Sequence, residues 1–352
     1  VVAIGALTAA WVGWRRFRAT RHLLAAYTKR VSFWAKLRIT VSFFQIVTQL
    51  DSVYSLRFSA AYAALLNGMA VVNLHLFGWL PGLHPVCFGL PSLESQLWFA
   101  TLAPLGIALA AFPIAKFAFG QPYAAALPFV LGWTFLLFPA ISSRGFRALA
   151  PCDCFGFLSS SPFCFLREDF EVECTGRLSG RSSAPPSVLA PAWAAVALWG
   201  AGVPLLYAAL LCHTDALRGS LGLLLGGYRS GARAWDLVVV SEKLVLVGFL
   251  SLLEPGEWTQ IFVAVIVALC SFLLQVRFTP YERSSDNLFA FGTSAMLLLQ
   301  LLGSLALQTS SLAPSLDIDQ DLVFAVLFTA TLLVLFAAVA FFIFELYAAH
   351  AP

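Results

Sequence analysis

The chain has 352 residues, 60% hydrophobic and only 11% charged, with a mean hydropathy of +0.85. Such a chain cannot clothe a water-soluble globule of this size in charge, so it reads as an integral, multi-pass protein of the plasma membrane or an endomembrane. The formal net charge of +3 excludes little, but its distribution along the chain is informative.

Long apolar runs, rather than alternating ten-residue segments, select helices over a transmembrane barrel, because a helix satisfies its own backbone hydrogen bonds in lipid. Runs of spanning length fall at 1–14, 58–79, 96–117, 123–141, 188–211, 237–253, 258–276, 287–308 and 321–347. The expected fold is all-α, a polytopic transmembrane helix bundle of about nine spans plus an amphipathic interfacial helix. Because the chain opens at Val1 inside an apolar run, 1–14 is expected to be a truncated first transmembrane helix of a longer protein. Pro104, Pro113, Pro128 and Pro204 predict bends within spans rather than breaks.

Residues 15–57 form a basic cytoplasmic linker and the amphipathic helix. Arg15, Arg16, Arg18, Arg21, Lys29, Arg30, Lys36 and Arg38 stand there with no acid between the first and last of them. A basic block directly after an apolar run faces anionic lipid rather than nucleic acid, which makes Arg15, Arg16, Arg18, Arg21, Lys36 and Arg38 candidate headgroup contacts. The stretch 36–50, KLRITVSFFQIVTQL, puts Arg38, Ser42, Gln45 and Gln49 on one helical face. Its length of about 22 Å is short of the ~30 Å hydrocarbon layer, so it is expected to lie along the cytoplasmic surface. The alternative is a span running on to Phe58, which would invert the sidedness of every later helix.

Residues 58–141 are then transmembrane helices, 142–187 a Cys-rich exterior loop, and 188–352 the transmembrane helices of a channel core. The loop contains PCDCFGFLSSSPFCFLREDFEVEC, residues 151–174. Its cysteines read as disulfide partners, as free or mixed thiols, or as metal ligands. The C-x-C spacing, the long gaps and the lack of a loop histidine argue against zinc, so no metal site is expected. Cys87, Cys152, Cys154, Cys164 and Cys174 all fall on the exterior, an oxidising compartment, and are the disulfide candidates.

Acids dominate that face. Glu254, Glu257, Asp317, Asp319 and Asp321 would attract cations to it, although an outer surface that is simply solvated has the same composition. Asp317, Asp319 and Asp321 open like an EF-hand loop, but Leu322 replaces the required glycine. Asn67, Asn73, His75, Glu242, Lys243, Gln300 and Glu345 are the polar exceptions within or near the spans. Helix packing is expected for the amides, and an interfacial position for Glu242 and Lys243.

The segments KLRITVSFFQIV (36–47), the Cys-Asp-Cys to Glu-Cys loop, GAGVPLLYAALL (200–211), YRSGARAWDLVVVSEKLVLVGFL (228–250), EPGEWTQ (254–260) and TPYERSSDNLFAF (279–291) occur in that order. Together they resemble the membrane region of the TRP-like proteins of algae, oomycetes and other microbial eukaryotes, from Lys36 to about Leu302. The resemblance implies a channel-like or receptor-like multi-span protein, with a large cysteine-rich ectodomain before the first span. It matches a cytosolic aromatic-acid pair to Trp235 and Asp236, a helix-start cation to Lys243, and a Gly-x-Pro-x-x-Tyr element to Gly202, Pro204 and Tyr207. Trp235, Asp236, Glu242 and Lys243 are accordingly the candidate cytosolic coupling residues.

One departure concerns the pore. TSSLAPSLDIDQD (309–321) is too short to hold both a pore helix and a selectivity filter. No enzyme signature is present, so neither catalytic residues nor cofactors are expected. The expected function is the membrane domain of a TRP-like cation channel or related transporter, with membrane lipids and inorganic cations as partners, no nucleic acid, and oligomerisation left open. The alternatives are a non-conducting receptor or adhesion protein and a lipid scramblase.

Overall fold

The computed structural model describes residues 33–54, 56, 58–69, 89–155, 163–178, 181–212, 226–253, 258–312 and 319–350. The first 32 residues, with Arg15, Arg16, Arg18 and Arg21, lie outside it, as do Asn73, His75, Cys87, Glu254, Glu257 and Asp317. Helix α1 (Phe33–Val47) is followed, after a turn, by the short α2 (Leu50–Tyr54), and α3 covers Ala60–Met69. Helix α4 (Leu93–Pro113) runs on through a π turn to Ala118, and α5 is Leu127–Leu149. Helix α6 (Pro186–Ala195) continues through a π stretch, Val196–Ala201, into α7 (Gly202–Cys212). Helix α8 (Trp235–Lys243) likewise passes through a π stretch, Leu244–Gly248, and a 3-10 turn to Leu252. The chain closes with α9 (Trp258–Phe278), α10 (Ser284–Leu312) and α11 (Gln320–His350).

Among the described residues, six helical stretches are long and apolar enough to cross a membrane: Leu93–Ala118, Tyr123–Leu149, Pro186–Cys212, Trp258–Phe278, Ser284–Ser310 and Gln320–Phe344. The expected nine is not supported by this set. Residues 1–14 are not described, 58–79 is described as helix only over Ala60–Met69, and the stretch from Trp235 carries Asp236, Glu242 and Lys243 within nine residues. The six keep large apolar side chains on their outer faces, among them Leu109, Leu205, Leu273 and Phe336, as a lipid-facing surface requires. Pro104, Pro113, Pro139 and Pro191 are accommodated inside helices, whereas Pro128 sits in the first turn of α5.

The bundle has two distinct ends. At one, here the basic end, the turn between α9 and α10 is stitched to the segment before α8 by a bridge between Tyr228 and Tyr281 and by Arg229 Nε donating to Tyr281 O at 3.1 Å. Thr279 in that turn has φ 38°, and Arg229 also reaches its hydroxyl. At the other end lies a small β cap. Strands β1 (Asp153–Phe155), β2 (Phe163–Leu166) and β3 (Asp169–Glu173) form an antiparallel meander, and β4 (Gly176–Leu178) pairs with β5 (Arg181–Ser183). Leu166 of the cap packs with Leu93, Leu97, Leu149, Val188 and Ala192 of α4, α5 and α6, so the cap sits on the helices rather than hanging from them.

Helix α1 is not a surface helix. Lys36 bonds to Asp286 in the first turn of α10, Gln45 Nε2 donates to Leu136 O in the middle of α5, and Gln260 Nε2 at the start of α9 donates to Val53 O in α2. Since α9 and α10 are antiparallel neighbours, α1 and α2 run through the bundle from the basic end to the capped end. At 1.5 Å per residue the 22 positions from Phe33 to Tyr54 cover about 33 Å, enough to cross a bilayer. Tyr54 and Leu93 both lie at the capped end, so the order of the later helices relative to the two ends is that of the surface-helix reading.

Helices α5 and α6 approach each other closely. A Cβ added at Gly145 would meet Ala195 Cβ at 2.9 Å and Ala192 O at 3.0 Å, so small residues on both sides permit the approach. Gln300 links three helices: it accepts from Tyr62 OH at 2.7 Å and donates to Leu327 O and Thr331 Oγ1. This is the packing role expected for that amide, whereas Asn67 is exposed.

Candidate functional site

Two acids placed at helix starts receive the two cations of α1. Arg38 Nη1 lies 3.0 Å from Asp236 Oδ2 and its Nη2 donates to Gly226 O at 2.8 Å, while Tyr228 OH donates to Asp236 Oδ1 at 2.7 Å. The guanidinium also stacks over the Tyr228 ring, 4.7 Å from its centroid. Lys36 Nζ is 2.7 Å from Asp286 Oδ1, and both side chains are 1% exposed. Asp236 and Asp286 each fall in a first helical turn, where the helix dipole favours a carboxylate. Lys36 and Arg38 are therefore not headgroup contacts: buried acids, rather than lipid phosphates, neutralise them. Burial pushes the Tyr281 phenol, beside this network, up to about 12, and raises that of Tyr228 well above its ordinary value.

Of the four candidate coupling residues, the structure brings Trp235 and Asp236 into this layer with Arg38, Tyr228 and Tyr281. Lys243 lies two turns further in and is 1% exposed, so it does not snorkel to the interface. Its Nζ is 2.8 Å from Gln45 Oε1 and 3.9 Å from the Phe135 ring centroid, and the hydrogen bond together with the ring face compensates its lost water. The Tyr207 of the Gly-x-Pro-x-x-Tyr element donates to Leu131 O at 3.0 Å and meets Thr134 Oγ1, a helix-to-helix tie at the same end.

Between α1, α8, α9 and α10 the layer opens into a cleft of about 70 Å³. It extends from Trp235, Asp236 and Tyr281 inward to Ile46 and Leu297. Its polar lining is Ser42 from α1, Glu242 from α8, Ser271 and Gln275 from α9, and Thr293 and Ser294 from α10. Ser42 Oγ and Gln275 Nε2 are buried and meet no protein partner. Sequence reasoning weighed Glu242 and placed Ser42 on a polar helical face, but missed Ser271, Gln275, Thr293 and Ser294. The available signal was the i, i+4 pair Ser271 and Gln275 on a strongly apolar helix.

At the capped end, Cys152 pairs with Cys174 and Cys154 with Cys164, so the four loop cysteines form two disulfides. Cys154 and Cys164 are directly opposed across β1 and β2. The β2–β3 turn is anchored by Glu168, whose carboxylate lies 2.8 Å from Arg147 Nε and 3.4 Å from Arg144 Nε. Arg147 in turn donates to Ser52 Oγ in α2 at 2.9 Å. A cavity of about 400 Å³ lies here, lined by Asp51, Ser52, Arg147, Arg167, Glu168 and Ser251 among others. Asp319 is not arranged as a calcium ligand: its Oδ1 accepts from the backbone N–H groups of Asp321 and Leu322 and caps α11. Asp321 is exposed in the first turn of that helix.

No family model matches the chain, and no curated protein or solved structure matches it either.

Proposed function

We propose that the chain is the membrane domain of a TRP-like cation channel or related transporter. The observation that carries this reading is the cleft, a partly unsatisfied polar space inside an otherwise apolar bundle, entered from a layer of buried ion pairs. Polar groups are costly in a membrane interior and mark ion or substrate paths. Lys116, Arg229, Arg233, Arg277 and Arg283 adjoin the basic end, which the positive-inside rule assigns to the cytoplasm, leaving the disulfide-braced cap outside. A permeation path does not fit between the last two helices, because only residues 313–319 separate Leu312 from Gln320. The path instead follows the groove among α1, α8, α9 and α10, closed toward the outside by Phe43, Ile46 and Leu297.

Recording from the chain reconstituted in bilayers tests this. Cation current or flux under voltage, tension or calcium is expected, and its absence under all three sinks the reading. A non-conducting receptor is the second reading, favoured by the roomy cavity beneath the cap at the outer end.

A further inference from the structure

The cavity beneath the cap holds charges that the protein engages itself and charges that it leaves open. Arg147 is engaged: its guanidinium lies 2.8 Å from Glu168 Oε2 and donates to Ser52 Oγ at 2.9 Å. Glu168 is shared in turn with Arg144, at 3.4 Å. Arg167 and Asp51 line the same space, yet among the described residues neither makes an ion pair, with the other or with any third group. Asp51 accepts only the backbone N–H of Ser52, at 2.7 Å and through one oxygen. The lining charges Asp51, Arg147, Arg167 and Glu168 sum to zero, and so do the two just outside the lining, Arg144 on Glu168 and Asp169 next to it in sequence. We propose that this cavity binds a small zwitterion, a molecule with one acid group set on Arg167 and one ammonium group set on Asp51. A free amino acid and a zwitterionic lipid headgroup share that chemistry.

Three features support the assignment. A singly charged ion would leave one of the two open side chains without a counter-charge, whereas a zwitterion complements both. About 400 Å³ lies within the range of small-molecule sites, and Val53 and Ala150 offer an apolar wall to a carbon skeleton. The two charges are also held in place before any ligand arrives. Arg167 sits in the β2–β3 turn, which Arg144 and Arg147 pin through Glu168 and which lies between Cys164 and Cys174, each disulfide-bonded. Asp51 belongs to α2, which the Arg147 contact to Ser52 ties to α5. Groups fixed in this way lose little freedom on binding, and a guanidinium without a protein partner keeps its fork of donors for a carboxylate or phosphate. The inference rests on the cavity alone and holds whether or not the helices conduct.

The test is calorimetric titration of the purified, non-reduced chain in a maltoside detergent. Leucine and phosphocholine probe the two sources of zwitterion, and acetate and ethylammonium are the single-charge controls. At least one zwitterion is expected to saturate one site, with each control about tenfold weaker or worse. Arg167→Gln and Asp51→Asn should each weaken the zwitterion about tenfold or more, and both should melt as the wild type does without ligand. Saturation by leucine supports a soluble ligand, and saturation by phosphocholine alone supports a lipid headgroup. Should Asp51→Asn fail to fold, Arg167→Gln and the wild-type controls decide. No binding of either zwitterion up to ~10 mM, acetate binding as tightly as leucine and phosphocholine, or an affinity unchanged in the folded variants overturns the proposal. Zwitterion binding without cation current leaves this site standing and removes the channel reading. Current with no zwitterion binding does the reverse.

Discussion

Arg38 and Asp236 stand 198 positions apart, yet one guanidinium nitrogen of Arg38 lies 3.2 and 3.0 Å from the two carboxylate oxygens of Asp236. Removing either partner leaves a buried charge without compensation. Arg38→Leu or Asp236→Leu alone is expected to cost about 3–5 kcal/mol, and the double variant to recover more than half of that. Thermal unfolding in detergent checks this, and single variants as stable as the wild type would show that the pair is not buried as described.

The tight α5–α6 contact predicts opposite signs for two similar changes. Gly145→Ala forces a Cβ against Ala195 and Ala192 and is expected to destabilise by about 1–3 kcal/mol. Gly106→Ala in α4 meets nothing within 4 Å and is expected to be neutral or to stabilise by up to about 1 kcal/mol through helix propensity. Melting temperatures that move the same way would refute the packing argument.

Cysteine accessibility separates the two ends. In intact cells an impermeant maleimide should label Cys152, Cys154, Cys164 and Cys174 only after reduction, because all four are paired. Cys212 and Cys270 are free and exposed on α7 and α9. Cys270, mid-helix on a lipid-facing span, should react only with a membrane-soluble reagent. Labelling of the cap cysteines solely in opened cells would reverse the sidedness.

Alkaline pH should weaken the basic end. Tyr281 holds its proton in the folded state up to about pH 12, whereas an unfolded tyrosine releases it near pH 10. Between those values the unfolded chain binds fewer protons, so stability present below pH ~10 falls as pH rises toward ~12. Tyr281→Phe should flatten that decline, read from melting temperature against pH. An unchanged slope would mean that the phenol is not buried.

The six apolar spans were legible because run length is a property of composition alone. Helix α1 was not. Arg38, Ser42, Gln45 and Gln49 make a polar stripe, and such a stripe looks the same whether it faces water or buried partners. Its partners are Asp236, the cleft and Leu136 O, all distant in sequence. The cleft was illegible for a related reason: each helix contributes only one or two polar residues, and these make a site only once four helices align them. Of the five disulfide candidates, the four loop cysteines were legible as members but not in their connectivity, which the strand register decides by opposing Cys154 to Cys164; Cys87 lies outside the described residues.

The shared position of Tyr54 and Leu93 bears on how the gene can be altered. Whatever path residues 55–92 take, the chain departs from and returns to one face, so their number has no bearing on the parity of the later crossings. An epitope spliced next to Gly89, outside α3 with its buried Tyr62 and Leu66, would leave every later helix in its original direction. That position lies at the capped end, while a splice between α1 and α2 would divide one continuous passage through the bundle.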